Sequence, residues 1–193
     1  SNCIVLPEVY DSYGGIFYTD QQMAQLFKRR CGVGVDLSTL RPAGVSVSNA
    51  AGTTSGAVSF MERFSNTTRE VAQNGRRGAL MITMDIAHPD IEEFITIKQD
   101  LKKVTGANIS VRVSDEFMNA VVKNESFTLR WPIDNDAPKI TRKVKAAELW
   151  DKIISCAHNT AEPGIIFWDK NRFSKKYRLK STDKKIKKLE INI

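Results

Sequence analysis

A chain of 193 residues is long enough for one domain with a real core and short for two. Hydrophobic residues at 41% and charged residues at 26% are ordinary for a soluble globular protein, and no apolar stretch approaches the ~20 residues that span a bilayer. The net charge of +7 is concentrated: ten Lys/Arg against two Asp/Glu fall between Lys170 and Ile193, which leaves the rest of the chain near neutral. Such a tail can bind polyanions, but a solvated end is the commoner reading, and no aromatic–basic interleaving supports specific nucleic-acid binding.

The cysteines Cys3, Cys31 and Cys156 are far apart and odd in number, and His88 and His158 are isolated. That pattern argues against a zinc site and a disulfide framework, and points to a reducing, cytoplasmic compartment. The chain opens on Ser1-Asn2-Cys3 without a charged leader, so no signal peptide is expected.

In chain order, residues 3–6 read as a short buried strand stopped by Pro7. Asp11-Ser12-Tyr13-Gly14-Gly15 is turn chemistry, and Asp11 or Ser12 can cap the next segment. A helix is expected from a cap at Asp20 to Arg30, with Met23, Leu26 and Phe27 on one face and Gly32 stopping it. Residues 45–54 are small and polar and read as a loop; a second helix is expected over 55–73. After the loop Asn74-Gly75-Arg76-Arg77-Gly78-Ala79 comes a strand at 80–84. The next helix has Pro89 in its first turn; His88, just before it, reads as a structural contact at the helix start.

Residues 108–113 form a strand, and Ser114 caps a helix through Phe117 and Val121. Residues 127–131 pair with 142–144 as a hairpin, and a helix runs from Ala146 to Thr160. The apolar run 164–169 reads as a strand buried on both sides of a parallel sheet. Alternating strands and helices mean an α/β sheet or barrel, in which ligands gather at the C-terminal ends of strands.

Cys31-Gly32-Val33-Gly34 followed by Arg41 lets backbone approach a ligand and supplies a planar cation for phosphate. A tight strand entry with a surface arginine explains the same residues. For Cys3 the alternatives are a buried structural cysteine and a thiol poised for reversible oxidation.

Together, Ser1-Asn2-Cys3, Asp11-Ser12, Cys31-Gly32-Val33-Gly34, Leu40-Arg41-Pro42-Ala43-Gly44, Gly75-Arg76-Arg77-Gly78-Ala79, His88-Pro89-Asp90 and Glu162-Pro163-Gly164 resemble the catalytic large subunit of ribonucleotide reductase. The resemblance covers residues 1–173; residues 174–193 form a basic tail outside it. It implies part of a ten-stranded α/β barrel of the ribonucleotide reductase and glycyl-radical type, from the first of its two five-stranded halves.

It further implies thiyl-radical reduction of ribonucleotides to deoxyribonucleotides, with Cys3 as one of two reducing cysteines and Asn2 and Gly32 against the substrate. Asp11, Ser12, Tyr13 and Arg41 would bind a deoxynucleoside triphosphate effector, Asp11 at the ribose and Arg41 at phosphate. Asn74, Gly75, Arg76, Arg77, Gly78 and Ala79 would carry the effector's identity to the substrate. Implied partners are a thioredoxin- or glutaredoxin-type reductant and a second copy in a homodimer. The radical would come from adenosylcobalamin or from a metal-containing subunit.

The family's finger-loop motif Asn-Pro-Cys-Gly-Glu does not occur in the sequence, so the expectation is a piece of the enzyme, inactive on its own. The alternative from another class is a non-catalytic remnant that keeps only the effector pocket.

Overall fold

A computed structural model describes residues 3–49, 51–71 and 78–170. Asn2, Asn74, Gly75, Arg76 and Arg77, the boundary at residue 173 and the basic tail lie outside the described residues.

The chain enters through a short strand, β1 (Cys3–Val5), and turns into α1 (Tyr13–Lys28). Ser12 is extended and its hydroxyl accepts the Gly15 N–H at 3.0 Å, which makes it the cap. The expected cap, Asp20, is instead inside the helix and nearly buried. There it accepts from the Thr67 hydroxyl and pairs with Arg63 at 2.7 Å, tying α1 to α2 (Met61–Glu70). Gly15 allows the tight entry, because a Cβ there would sit 2.3 Å from the Tyr10 carbonyl oxygen. The second helix is shorter than expected: a single 3₁₀ turn, Val58–Phe60, leads into α2.

Strands β2 (Gly32–Asp36), β3 (Ala79–Asp85), β4 (Asn108–Val113) and β7 (Gly164–Phe167) join β1 in one five-stranded sheet of order β1-β2-β3-β4-β7, parallel throughout. Side chains alternate between faces along a strand. One set, including Val33, Val35, Ile82, Met84, Ile109 and Val111, is buried in a single core with Met23, Phe27, Phe64, Phe94 and Ile153 from the helices. This is the α/β architecture expected of part of a barrel.

The two ends of the sheet depart from expectation. Cys3 and Val5 of β1 are exposed, as are Ile165 and Phe167 of β7. Each strand is apolar enough for a buried position, but each lies at a sheet edge with a neighbour on one side only.

Beyond β3 run α3 (Ile91–Thr96) and, after β4, α4 (Asp115–Val122), capped by the Ser114 hydroxyl accepting from the Phe117 N–H. The antiparallel hairpin β5 (Ser126–Trp131) and β6 (Ile140–Lys145) leads into α5 (Ala146–Thr160). Phe117 joins these pieces, edge-on to Phe127 at 5.1 Å and tilted against Trp150 at 6.4 Å. At the other end of the sheet, Lys98 donates to the Val104 and Ala107 carbonyls and pairs with Glu162 at 2.9 Å, fastening the entries to β4 and β7.

Candidate functional site

The face of the sheet opposite the core carries the second alternating set. The register places Cys3, Gly32 and Ala79 side by side across β1, β2 and β3, and Val5, Gly34 and Met81 in the next row. Further along come Asp36, Thr83 and Ser110, then Asp85 and Arg112. In a filled β/α barrel, bulky branched side chains close this interior. Here Gly32, Gly34 and Ala79 stand in the first two rows beside Cys3, Val5 and Met81, and a cavity of about 820 Å³ opens against Cys3, Gly32, Gly34, Gly78, Ala79 and Arg112. That volume suits a nucleotide-sized ligand.

This cluster sits at the N-terminal ends of its strands, where Cys3, Gly32 and Ala79 are each the first residue. The cavity runs from there along the sheet face to Asp36, Thr83 and Arg112, toward the C-terminal ends at which this fold class is expected to hold ligands. The accessible thiol of Cys3 also removes the reading of a buried structural cysteine. Gly78, the last loop residue before β3, lies under Phe27, whose ring a Cβ would approach to 2.9 Å.

At the C-terminal end of the same face is a polar network that sequence reasoning missed. Asp36 accepts from the Thr83 hydroxyl at 2.6 Å and the Ser38 N–H at 3.0 Å. Arg112 lies 3.3 Å from Asp36 and 3.2 Å from Asp85, with its guanidinium 4.4 Å from the centre of the Trp168 ring. Burial raises the Asp85 carboxyl above the ordinary carboxylate range, against the Ala87 N–H and the charge of Arg112. The signal was present as period-two polarity within apolar strands: Gly32-x-Gly34-x-Asp36, Thr83-x-Asp85 and Ser110-x-Arg112.

A second, smaller cavity of about 250 Å³ brings together Asp11, Ser12, Tyr13 and Arg41, residues from the start of α1 and the loop after β2. Arg41 donates from Nε to Asp11 Oδ2 at 2.8 Å and from its backbone N–H to Asp11 Oδ1 at 3.1 Å. Asp11 thus orients the guanidinium as well as facing the cavity, and each carboxylate oxygen keeps a further lone pair. The Ser12 hydroxyl is engaged as the α1 cap, and Tyr13 stacks on Phe17 at 6.1 Å. The facing wall is a ribbon formed by residues 44–49 and 51–54, in which Gly44 N–H donates to Thr54 O and Thr54 N–H to Val45 O, both at 2.9 Å. Val47, Ser48 and Thr54 of that ribbon line the cavity. The stretch expected as plain loop is therefore a paired element with a Ser46–Thr53 bridge.

His88 lines neither cavity. It is fully buried, its Nε2 2.8 Å from the Leu40 carbonyl and its Nδ1 accepting the Asp90 N–H at 3.0 Å, a structural contact at the start of α3. Among the described residues no group of three or more His, Cys, Asp or Glu could hold a metal ion, and no helix is long and apolar enough to cross a membrane.

The family model for the ribonucleotide reductase barrel domain matches residues 1–187. The chain is 39% identical over 171 residues to the vitamin B12-dependent ribonucleoside-diphosphate reductase of Mycobacterium tuberculosis H37Rv, covering 88% of this chain and 24% of that protein. It is 42% identical over 171 residues to the enzyme of the same description from Thermoplasma acidophilum, covering 88% and 22%. It is 30% identical over 201 residues to the ribonucleoside-diphosphate reductase large subunit of Dictyostelium discoideum, again covering 88% and 22%. The chain thus spans about a quarter of the length of the curated relatives it matches.

Proposed function

The chain belongs to the ribonucleotide reductase barrel family, and from that membership we propose that it forms one substrate wall and the deoxynucleotide effector pocket of a vitamin B12-dependent ribonucleotide reductase. The observation that carries this reading is a convergence. Asp11, Ser12, Tyr13 and Arg41, matched to the effector site by resemblance and drawn from two segments, line one cavity, while Cys3 and Gly32, matched to the substrate site, line another together with Gly78 and Ala79 from the end of the specificity loop.

On the substrate wall, Gly32 and Gly34 let the sugar lie against the backbone, beside the thiol of Cys3. In the reaction Cys3 and a second cysteine outside this chain give up two electrons and two protons and close to a disulfide. The ribose loses its 2′-hydroxyl as water and gains a hydrogen in its place, so atoms and electrons balance. A thioredoxin- or glutaredoxin-type dithiol then reopens the disulfide by exchange. In the effector pocket Arg41, held by Asp11, meets the phosphates, and Asp11's remaining lone pairs face the ribose hydroxyls. Gly78 and Ala79, which line the larger cavity, end the segment that the resemblance gives the role of carrying the effector's identity to the substrate, a coupling that would be allosteric.

Several relatives are named as vitamin B12-dependent, and adenosylcobalamin, when bound, would supply the radical. The described residues of this chain do not fit it as a holder of cobalt: the His88 ring nitrogens are both engaged in the core, and His158 lies exposed in the last turn of α5, outside the residues lining either cavity.

Titration calorimetry with deoxynucleoside triphosphates and the corresponding nucleosides tests the pocket. Arg41→Ala should weaken triphosphates about ten- to a hundred-fold, the worth of a lost charge-assisted hydrogen bond, and nucleosides far less. Equal losses for both ligands would make Arg41 structural and the pocket assignment wrong.

A further inference from the structure

The ribbon that walls the smaller cavity stands on two feet, and one carboxylate holds both. Asp90 Oδ1 accepts the Ala43 N–H at 3.0 Å, and Oδ2 accepts the Ala57 N–H at 3.0 Å. Ala43 lies just before the ribbon and Ala57 just after it. Asp90 is nearly enclosed at 8% exposure. Two backbone donors on one buried carboxylate are charge-assisted bonds, roughly twice as strong as neutral ones.

The seam between Asp90 and the ribbon has no spare room. Gly56 adopts φ +90°, and a Cβ on it would lie 2.6 Å from Asp90 Oδ2 and 2.8 Å from the Ala43 nitrogen. Both the left-handed backbone and the contact demand glycine.

His88 supplies a third fixed point. Its Nδ1 accepts the Asp90 N–H, so the ring carries its proton on Nε2 and donates that to the Leu40 carbonyl at 2.8 Å. Arg41 is therefore bracketed: Leu40 before it is held by His88, and Ala43 after it by Asp90. Neither His88 nor Asp90 lines the cavity.

We propose that His88 and Asp90 are positioning residues of the nucleotide pocket, which fix Arg41 and the ribbon and so set the pocket's grip on a ligand's phosphates without touching the ligand. The proposal rests on reading this cavity as the effector pocket. A chain with Arg41 and Asp11 intact but the brace loosened should lose phosphate recognition while keeping what the sugar and base contribute.

The test is a pair of titrations of the whole chain with dTTP and with thymidine, well below the unfolding midpoint, for wild type and Asp90→Asn. The amide keeps the size of the side chain but replaces one acceptor with a donor facing a backbone N–H. The proposal expects dTTP to weaken at least about tenfold and thymidine by much less, so that their affinity ratio collapses. A variant with a lowered unfolding midpoint and an unchanged ratio would show a purely structural role and overturn it. Wild type that binds no dTTP would overturn the pocket reading itself, and this inference with it. Should Asp90→Asn not fold, amide hydrogen exchange on the wild-type chain decides. The Ala43 and Ala57 amides should exchange slowly and slow further with dTTP, whereas rapid exchange at both, indifferent to dTTP, would contradict the proposal.

Discussion

Burying His88 makes the stability of the chain depend on a proton. Burial lowers the ring's affinity for a proton below that of an ordinary histidine, against the Leu40 carbonyl and the charges of Asp90, Asp36 and Asp85. The unfolded chain therefore binds more protons than the folded one in weak acid. The contribution of neutral His88 is complete above about pH 6.5 and is lost as pH falls from there toward the lowered folded value. Denaturant unfolding between about pH 7 and about pH 5 should show the wild type losing stability, and His88→Asn should lose less over the same interval. Parallel pH profiles for the two proteins would mean that His88 is protonated as readily in the fold as out of it. Cys156, in the buried face of α5, has its thiol pushed up by burial.

At the scale of elements, the hairpin, α4 and α5 meet around the ring of Phe117. Phe117 is fully buried between Phe127 and Trp150. Phe117→Ala should cost about 3–5 kcal/mol, because the rings around it cannot collapse into the space. Urea unfolding would show this as a lower midpoint at unchanged slope, and a loss under about 1 kcal/mol would mean the hairpin and α5 hold without it. These same elements were the legible ones in the sequence. Residues 108–113, the hairpin, α4 and α5 each carry a clean period of two or of 3.6 and an explicit boundary residue, such as Ser114. The start of α1 was legible in part: Ser12 stood among the capping candidates and does cap the helix, but Tyr13-Gly14-Gly15 has poor helix propensity and Asp20, held in a tertiary role, offered a more obvious cap. The exposure of β1 and β7 was not legible either. An apolar run of four residues says that a strand can be covered, not that this length of chain covers it.

At the scale of the whole molecule, the chain builds a sheet with one face packed and the other lined with glycine, threonine, aspartate and arginine. The motif resemblance led to the Arg41 and Cys3 clusters, but the Asp36–Arg112–Asp85 network emerged only once register aligned three strands. The open face is what an enzyme wall needs and what a self-contained core would not leave. The central claim is that Cys3 on this face is a reducing thiol for a ribonucleotide. The most direct measurement replaces the matching segment of the Mycobacterium tuberculosis B12-dependent enzyme with residues 1–187 of this chain. Deoxyribonucleotide formation is then followed over many turnovers with adenosylcobalamin and a dithiol reductant, for the chimera with Cys3 and for its Cys3→Ser variant. The account predicts sustained turnover with Cys3 and its loss in Cys3→Ser, with effector binding retained in both. Sustained turnover by the Cys3→Ser chimera at the rate of its parent would contradict it.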